Sequence, residues 1–457
     1  MTRMFGWGRS LSSESDVISV STQQDAAQLL MQSHPRGITA RGLGRSYGDA
    51  AINSGGTVAL IQDGLCSKEV GTSLEIDSGN GFARIGAGVS IEQMLRALVP
   101  AGFFVPVTPG TRFVTLGGAI AADIHGKNHH CDGTFGQHVQ SMRILLSSGE
   151  IISLDPKVNS EWFWATIGGM GLTGVVLDAT IDLIPISTSR IAVTTARCRN
   201  IDELFSLMSD ADSDDHFRYS VAWVDMLSKG DAFGRGVLTR GDHSDTHDDT
   251  PGQSLSYDPQ TRFGVPRYFP NGVLNIATIR AFNELWYRKA SKNTATTFES
   301  ITNFFHPLDG VRNWNRMYGS RGFLQYQCVV PIGAKNLIKE IIGMMQNAKL
   351  PTFLAVLKRM GKQNPGLLSF PMQGWTLAVD IAVGSERVES ALREIDEAVI
   401  SAGGRHYLAK DGHMSQSTFL RGYPQLDTWR DIQRQMDPIG MWTSDLARRL
   451  QLVGEQS

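Results

Sequence analysis

The chain has 457 residues, 41% of them hydrophobic and 19% charged, enough for two or three domains of roughly 150 residues each around sizeable cores. A net charge of −2 argues against a nucleic-acid partner held by a basic surface. No apolar run reaches the roughly 18 residues of a membrane span, and Cys66, Cys131, Cys198 and Cys328 show neither disulfide-framework nor zinc-site spacing.

Met1 to Asp16 is polar and has no apolar h-region, so no secretory signal is expected, and a reducing compartment suits the cysteines. Residues 15 to 187 read as alternating short strands and helices. The first glycine-rich segment is Ala40-Arg41-Gly42-Leu43-Gly44-Arg45-Ser46-Tyr47-Gly48-Asp49. Thr57 to Ile61 then reads as a strand. Ser90-Ile91-Glu92-Gln93 is a capping-box pattern opening a helix through Leu95, Leu98 and Val99 that stops near Gly102. The second glycine-rich segment runs Pro109-Gly110-Thr111, Thr115-Leu116-Gly117-Gly118-Ala119 and Asp123-Ile124-His125-Gly126-Lys127-Asn128. Met142 to Leu146 and Ile151 to Leu154 flank a Ser-Ser-Gly-Glu turn and read as a hairpin. Val175 to Ile186 reads as a long strand ending near Pro185, with a domain boundary there.

Glycine-dense turns expose backbone N–H groups at close range, which suits a pyrophosphate. Two of them, about seventy residues apart, imply one large phosphate-bearing cofactor held from two sides. Neither closes with the Gly-Lys-Ser/Thr of a Walker loop, and neither fits the Rossmann fingerprint.

From residue 188 the character changes. Residues 228 to 265 are rich in Gly, Asp, His, Thr and Ser without periodicity and read as a mobile loop. The run Asp242 to Asp249 within it reads as solvated charge rather than a metal tract. Val273 to Ala290 reads as an amphipathic helix with Ile276, Ile279, Phe282, Leu285 and Trp286 apolar and Arg280, Arg288 and Lys289 basic. Core packing is the expected use of that stripe, and a membrane-facing lid the alternative.

Three strands alternate cleanly. In Phe323 to Val330, Leu324, Tyr326, Cys328 and Val330 line one face, and Gln325 and Gln327 the other. Leu354 to Met360 puts Lys358 and Met360 on one side. In Trp375 to Ile381 the odd positions are large and apolar, while Thr376, Ala378 and Asp380 share the opposite face. An antiparallel sheet with helices behind and a ligand in front is expected, a solvated face being the alternative. The last fifty residues return to helix and turn around Tyr407-Leu408-Ala409-Lys410-Asp411.

The two glycine segments together resemble the FAD-binding signature of the vanillyl-alcohol oxidase/p-cresol methylhydroxylase superfamily. Adding His125-Gly126-Lys127-Asn128-His129-His130, Gly322-Phe323-Leu324-Gln325-Tyr326-Gln327 and Ala447-Arg448-Arg449-Leu450, the chain resembles the flavoprotein oxidase subunits of decaprenylphosphoryl-ribose 2'-epimerases from about Ser21 to Leu452. The resemblance implies an α+β fold of two domains: residues 1–187 and 405–457 binding FAD, with an antiparallel substrate domain, 188–404, inserted between them. It implies flavin contacts along Ala40 to Asp49, at Gly110, Thr115, Leu116, Gly117 and Gly118, along Ala122 to His125, and at Val176 and Tyr407. Lys410, Tyr47 and His125 are the implied catalytic groups, with Lys410 at the N1 edge of the flavin, and Lys127, Trp223, Gln325, Gln327, Lys358, Thr376 and Ala378 the implied substrate contacts. Related sugar-alcohol oxidases carry the flavin on a histidine where this chain has Arg45, so the FAD is expected to be non-covalent.

His125 lies beside His129 and His130, but no Cys or carboxylate stands at metal-site spacing, so no metal is expected. Many relatives place a cysteine where Ala378 stands, and nitroaromatic inhibitors reduced by the flavin attach to it. The implied reaction is oxidation of the 2'-hydroxyl of a polyprenyl-phosphoryl ribose, completed by a separate NAD(P)H-dependent reductase in cell-wall arabinan synthesis, with peripheral attachment to the inner membrane. A soluble alditol or aldonolactone oxidase using oxygen is the runner-up, and a catalytically silent scaffold the third reading.

Overall fold

A computed structural model describes residues 1–32, 34–62, 73–210, 217–245, 255–261, 263–291, 295–350, 352–383 and 386–453. Cys66 and the stretch 246–249 of the acidic run lie outside these.

The first sheet joins β1 (Thr2–Phe5), β2 (Ser12–Val20), β3 (Ile38–Arg41) and β4 (Thr57–Ile61) in the order β1-β2-β4-β3, with β4 parallel to both its neighbours. Its core holds Val20, Ile38, Ala59 and Trp442, so the C-terminal segment packs on the N-terminal sheet. The second sheet is antiparallel: β5 (Leu74–Asp77), β6 (Phe82–Gly86), β7 (Val139–Leu145), β8 (Ile151–Leu154) and β9 (Val175–Asp182), in the order β5-β6-β9-β7-β8. The expected hairpin is β7–β8. The expected strand to Ile186 stops at Asp182, and Ile184–Pro185 instead pair with Phe103–Phe104.

Helix α1 (Ile91–Leu98) packs Ile91, Met94, Leu95 and Leu98 into the core beside this sheet, and Ser90 and Gln93 close the capping box as read. Such a cap is worth about 1 kcal/mol. Helix α2 (Leu116–Ala121) is capped by Thr115, whose hydroxyl accepts from the Gly118 N–H.

The third sheet has eight antiparallel strands: β10 (Arg190–Cys198), β11 (Tyr219–Val224), β12 (Gly236–His243), β13 (Ala295–Ser300), β14 (Phe323–Pro331), β15 (Thr352–Met360), β16 (Gly374–Ala382) and β17 (Arg405–His406). Their order is β13-β10-β12-β11-β15-β16-β14-β17. Leu324, Tyr326, Cys328, Leu377, Val379 and Ile381 are buried against Ile338, Ile341, Leu392 and Ile395 of the helices Lys335–Asn347 and Glu386–Ser401. Each such side chain stabilises the fold by roughly 1.5–3 kcal/mol. The apolar faces read from the alternation therefore meet the helices, and Gln325, Gln327, Thr376 and Asp380 turn the other way.

Strand β12 overturns the loop expected over 228–265. It runs between β10 and β11, where hydrogen bonds on both edges hold it without hydrophobic periodicity. Its glycines are demanded by proximity. A Cβ on Gly236 would lie 2.3 Å from the Trp223 carbonyl oxygen, and one on Gly241 would lie 2.7 Å from that of Ala192. Helix α3 (Ile276–Lys289) forms where expected, but only Ile279 and Asn283 are buried, so core packing is not its use. Among the described residues no helix is long and apolar enough to cross a membrane.

Candidate active site

The two glycine segments meet. A Cβ on Gly42 would sit 2.2 Å from Thr115 Oγ1, so the first loop lies directly on the cap of α2. Gly44 has φ +62, a conformation that L side chains avoid. Gly48 touches a third segment, where a Cβ would fall 1.8 Å from the Asp411 carbonyl oxygen. The Tyr47 N–H donates to Ala409 O at 2.9 Å, docking the Lys410 turn on the same loop. No room is left for side chains where the segments touch, while a Cβ on Gly110 would meet nothing within 4 Å. Crowded backbone beside open space is the form of a phosphate cradle, and it fits FAD.

Several polar residues of these loops are bound within the protein. Arg41 donates to Ala51 O and Phe5 O. Asp49 is clamped by Arg449 at 2.7 and 2.8 Å, and the same guanidinium reaches Asp411 at 2.7 Å. Asp123 accepts from Gly136 N, Asn364 and Ser369, and the Tyr407 hydroxyl donates to Ala122 O at 2.8 Å. Arg45 lies 3.9 Å over the Trp7 ring. Val176 and Ile124 are buried in the core beside these loops, Ser46 O accepts from Trp7 N, and Leu43 is exposed.

The polar face of the third sheet carries the rest. Strand register aligns Trp223, Val356, Ala378 and Gln327 in one row across β11, β15, β16 and β14. The flanking pairs are Lys358 with Thr376, and Asp380 with Gln325. Gln325 Nε2 donates to Asp380 Oδ1 at 2.5 Å, and the Tyr318 hydroxyl donates to Oδ2 at 3.1 Å. Gln327 Nε2 lies 3.0 Å from His125 Nε2 and 3.2 Å from Thr376 Oγ1. Thr376 itself is fully buried and donates to Cys328 O, so its hydroxyl is taken up within the sheet. Lys358 Nζ lies 3.0 Å from His125 Nδ1. With the amide N–H directed at Nε2, the ring hydrogen sits on Nδ1 and Lys358 accepts it as an uncharged amine; with the amide turned, Nε2 donates to its oxygen and Nδ1 accepts from a Lys358 ammonium.

The electrostatics agree. Burial pushes Lys358 down to about 7, helped by the charges of Lys410 and Lys127. Burial, with the same Lys358 charge, holds His125 well below the usual imidazole range, so it is neutral. Burial likewise lowers Lys410 to about 7, with Asp380 opposing, and raises Asp380 in turn. The Lys410 ammonium position is 3.8 Å from the centre of the Tyr47 ring, whose hydroxyl burial raises far above its ordinary value. Lys127 is lowered to about 8 by burial, donates to Phe304 O and lies 4.0 Å from the Phe304 ring centre. Three suppressed ammonium groups around one face favour an anionic occupant.

His129 accepts from Gly361 N and His130 bonds Phe217 O, and among the described residues no group of three His, Cys, Asp or Glu is arranged to hold a metal. A separate cavity of about 640 Å³, lined by Arg190, Tyr257, Gln260, Asn303 and His306 among others, holds none of the candidate residues. Sequence reasoning passed over Asp380 as a functional group, although a carboxylate in an otherwise apolar strand was its signal. Tyr318 and Phe370, which stacks 4.8 Å from Tyr407 and lies 5.8 Å from His125, carry no sequence signal at all.

Residues 17–155 match a family model described as an FAD binding domain, and residues 327–450 one described as D-arabinono-1,4-lactone oxidase. The chain is 42% identical to the decaprenylphosphoryl-beta-D-ribose oxidase of Mycolicibacterium smegmatis over 99% of its own length and 98% of the relative's. It is 34% identical to an uncharacterized Streptomyces coelicolor protein over 80% of this chain and all of that one. An L-gulono-1,4-lactone dehydrogenase of Mycobacterium tuberculosis is 21% identical over 97% of both chains. Together with the α+β, two-domain architecture and the glycine cradle, these matches place the chain in the decaprenylphosphoryl-beta-D-ribose oxidase family of FAD-dependent oxidoreductases.

Proposed function

We propose that this enzyme oxidises the 2'-hydroxyl of decaprenylphosphoryl-β-D-ribose to the 2'-keto sugar, the first half of an epimerisation to the arabinose donor of cell-wall arabinan. The observation that carries the reading is a lysine amine, Lys410, whose charge is suppressed beside a polar sheet face. Bound FAD supplies the two-electron acceptor. The cradle formed by Ala40–Asp49, Gly110, Thr115–Gly118 and Ala122–His125 would hold it, on a partition into residues 1–187 with 405–457 and an inserted domain 188–404. Arg45 has no imidazole nitrogen for the usual histidyl linkage, so the flavin should dissociate on denaturation.

Lys410 Nζ takes the hydroxyl proton. As a free amine it has the lone pair to do so, and the ammonium formed then stabilises the negative charge that arrives beside it. Tyr47 is the poorer base, because burial favours its neutral phenol and it has no lone pair basic enough at neutral pH. Asp380, held by Gln325 and Tyr318, tunes Lys410. Lys358 and Lys127 suit the phosphate, the Gln327–His125 pair positions the sugar, and Trp223 and Ala378 wall the row.

A separate NAD(P)H-dependent reductase would consume the keto product, and the enzyme would work at the periphery of the inner membrane. Anaerobic addition of decaprenylphosphoryl ribose should bleach the yellow protein. The lactone-oxidase model over residues 327–450 favours a second reading, oxidation of free alditols or aldonolactones by oxygen. Bleaching by those compounds and not by the lipid sugar would establish it.

A further inference from the structure

Helix α3 is built inside out. Its inner side is held by polar contacts: Asn283 Nδ2 donates to Asp225 at 2.6 Å, Glu284 accepts from Arg235 at 2.7 Å, and Tyr287 lies under Arg197 and Arg235. Arg197 also donates to the Arg288 and Ala290 carbonyls at the helix end. Its first turn is closed by Asn275, which accepts from Ala277 N and Thr278 N. The helix is thus firmly anchored, yet apart from the buried Ile279 its large apolar residues are exposed. Leu285 is 71% exposed and Trp286 41%, with Ile276 and Phe282 exposed beside them. In water this arrangement leaves apolar area uncovered, and so marks an interaction surface.

Charge identifies the occupant. The segment 261–322 carries nine Lys or Arg and three Asp or Glu, a local excess of six in a chain whose net charge is −2. Arg280, Arg288 and Lys289 are exposed on α3 itself, around Leu285, and Arg267, Arg312 and Arg321 are exposed elsewhere in the segment. Apolar side chains ringed by cations on an interfacial helix match a bilayer rich in anionic headgroups. We infer that α3 docks the enzyme on an anionic phospholipid surface, with Leu285 and Trp286 entering the headgroup–acyl boundary. The inference deepens the reading of a lipid-borne substrate and rests on it for its purpose. From Phe282 an aromatic contact at 5.0 Å leads to Phe353, which packs on the cluster of Trp314, Tyr318, Phe323 and Tyr47 beneath Lys410. A prenyl chain leaving the bilayer at α3 would meet, in Phe282 and Phe353, an apolar edge that leads to the packing beneath Lys410.

The test is co-sedimentation of the flavin-loaded enzyme with vesicles of phosphatidylcholine, with and without phosphatidylglycerol. Wild type should bind the anionic vesicles and be released by salt. Leu285→Glu and Trp286→Glu should each weaken binding by about tenfold, and Arg280→Glu by roughly fivefold, with flavin content and melting temperature unchanged. Binding by Leu285→Glu as tight as wild type would overturn the assignment. So would no binding of wild type to anionic vesicles, or a dimer lost in Leu285→Glu without vesicle binding. The vesicles contain no sugar lipid, so docking is scored separately from the chemistry. Vesicle binding without any bleaching by decaprenylphosphoryl ribose would leave the docking standing and sink the proposed reaction.

Discussion

An amine held 3.8 Å over a buried tyrosine ring, with its charge suppressed by burial, can gain a proton during the reaction. Lys410→Ala should retain FAD yet slow anaerobic flavin reduction by about 10²–10³, the loss typical of a group that stabilises developing charge. Because the free amine is the active form, the reductive rate should rise with pH through about 7 and then level off, losing activity as Lys410 becomes charged on the acid side. Stopped-flow traces that are flat or falling over that interval would assign the proton elsewhere. Gln327→Leu should alter kcat or KM by more than about twofold, since it removes the donor facing both His125 Nε2 and Thr376 Oγ1. Ala378, in the row between Val356 and Gln327, has no nucleophile. A nitroaromatic inhibitor reduced at the flavin should therefore leave the intact mass of wild type unchanged, while Ala378→Cys should gain an adduct with little change in kcat. An adduct on the wild type would mean that this strand face lies elsewhere.

Element by element, what could be read from sequence followed from burial on one side. β14 and β16 alternate because one face packs on helices and the other turns to the site, and α1 announces itself through its capping box. β12 was illegible because a strand paired on both edges needs no apolar stripe, and its two glycines read as loop when they are in fact close-approach positions. The pattern of α3 was legible, its orientation was not, since periodicity identifies a stripe without saying what covers it. Glycine spacing signalled the cradle, but only the folded chain shows that Gly42 seats on the cap of α2. Gly42→Ala would place a methyl 2.2 Å from Thr115 Oγ1, and should weaken FAD retention by at least about tenfold, read as flavin per protein after gel filtration. Undiminished flavin content would show that the two segments need not touch.

Across the whole molecule the site is assembled from distant sequence. Arg449 spans the carboxylates of Asp49 and Asp411, both buried, and thereby ties the first glycine loop to the Lys410 turn. Residues this far apart carry no mutual signal in a single sequence, and the Ala447–Leu450 motif indicated only family likeness. Arg449→Met should cost about 3–5 kcal/mol by leaving two buried charges uncompensated, and Arg449→Lys should not restore it, because a single ammonium cannot fork between both. Thermal melting of the apoprotein measures this, and an unchanged melting temperature would reduce the clamp to ornament. The clamp also sets a clock. Asp49 emerges from the ribosome 400 residues before its partner, an interval of about 20–80 s at ordinary elongation rates. During that time the N-terminal sheet waits without the segment that buttresses its glycine loop, so flavin should load only on the nearly finished chain.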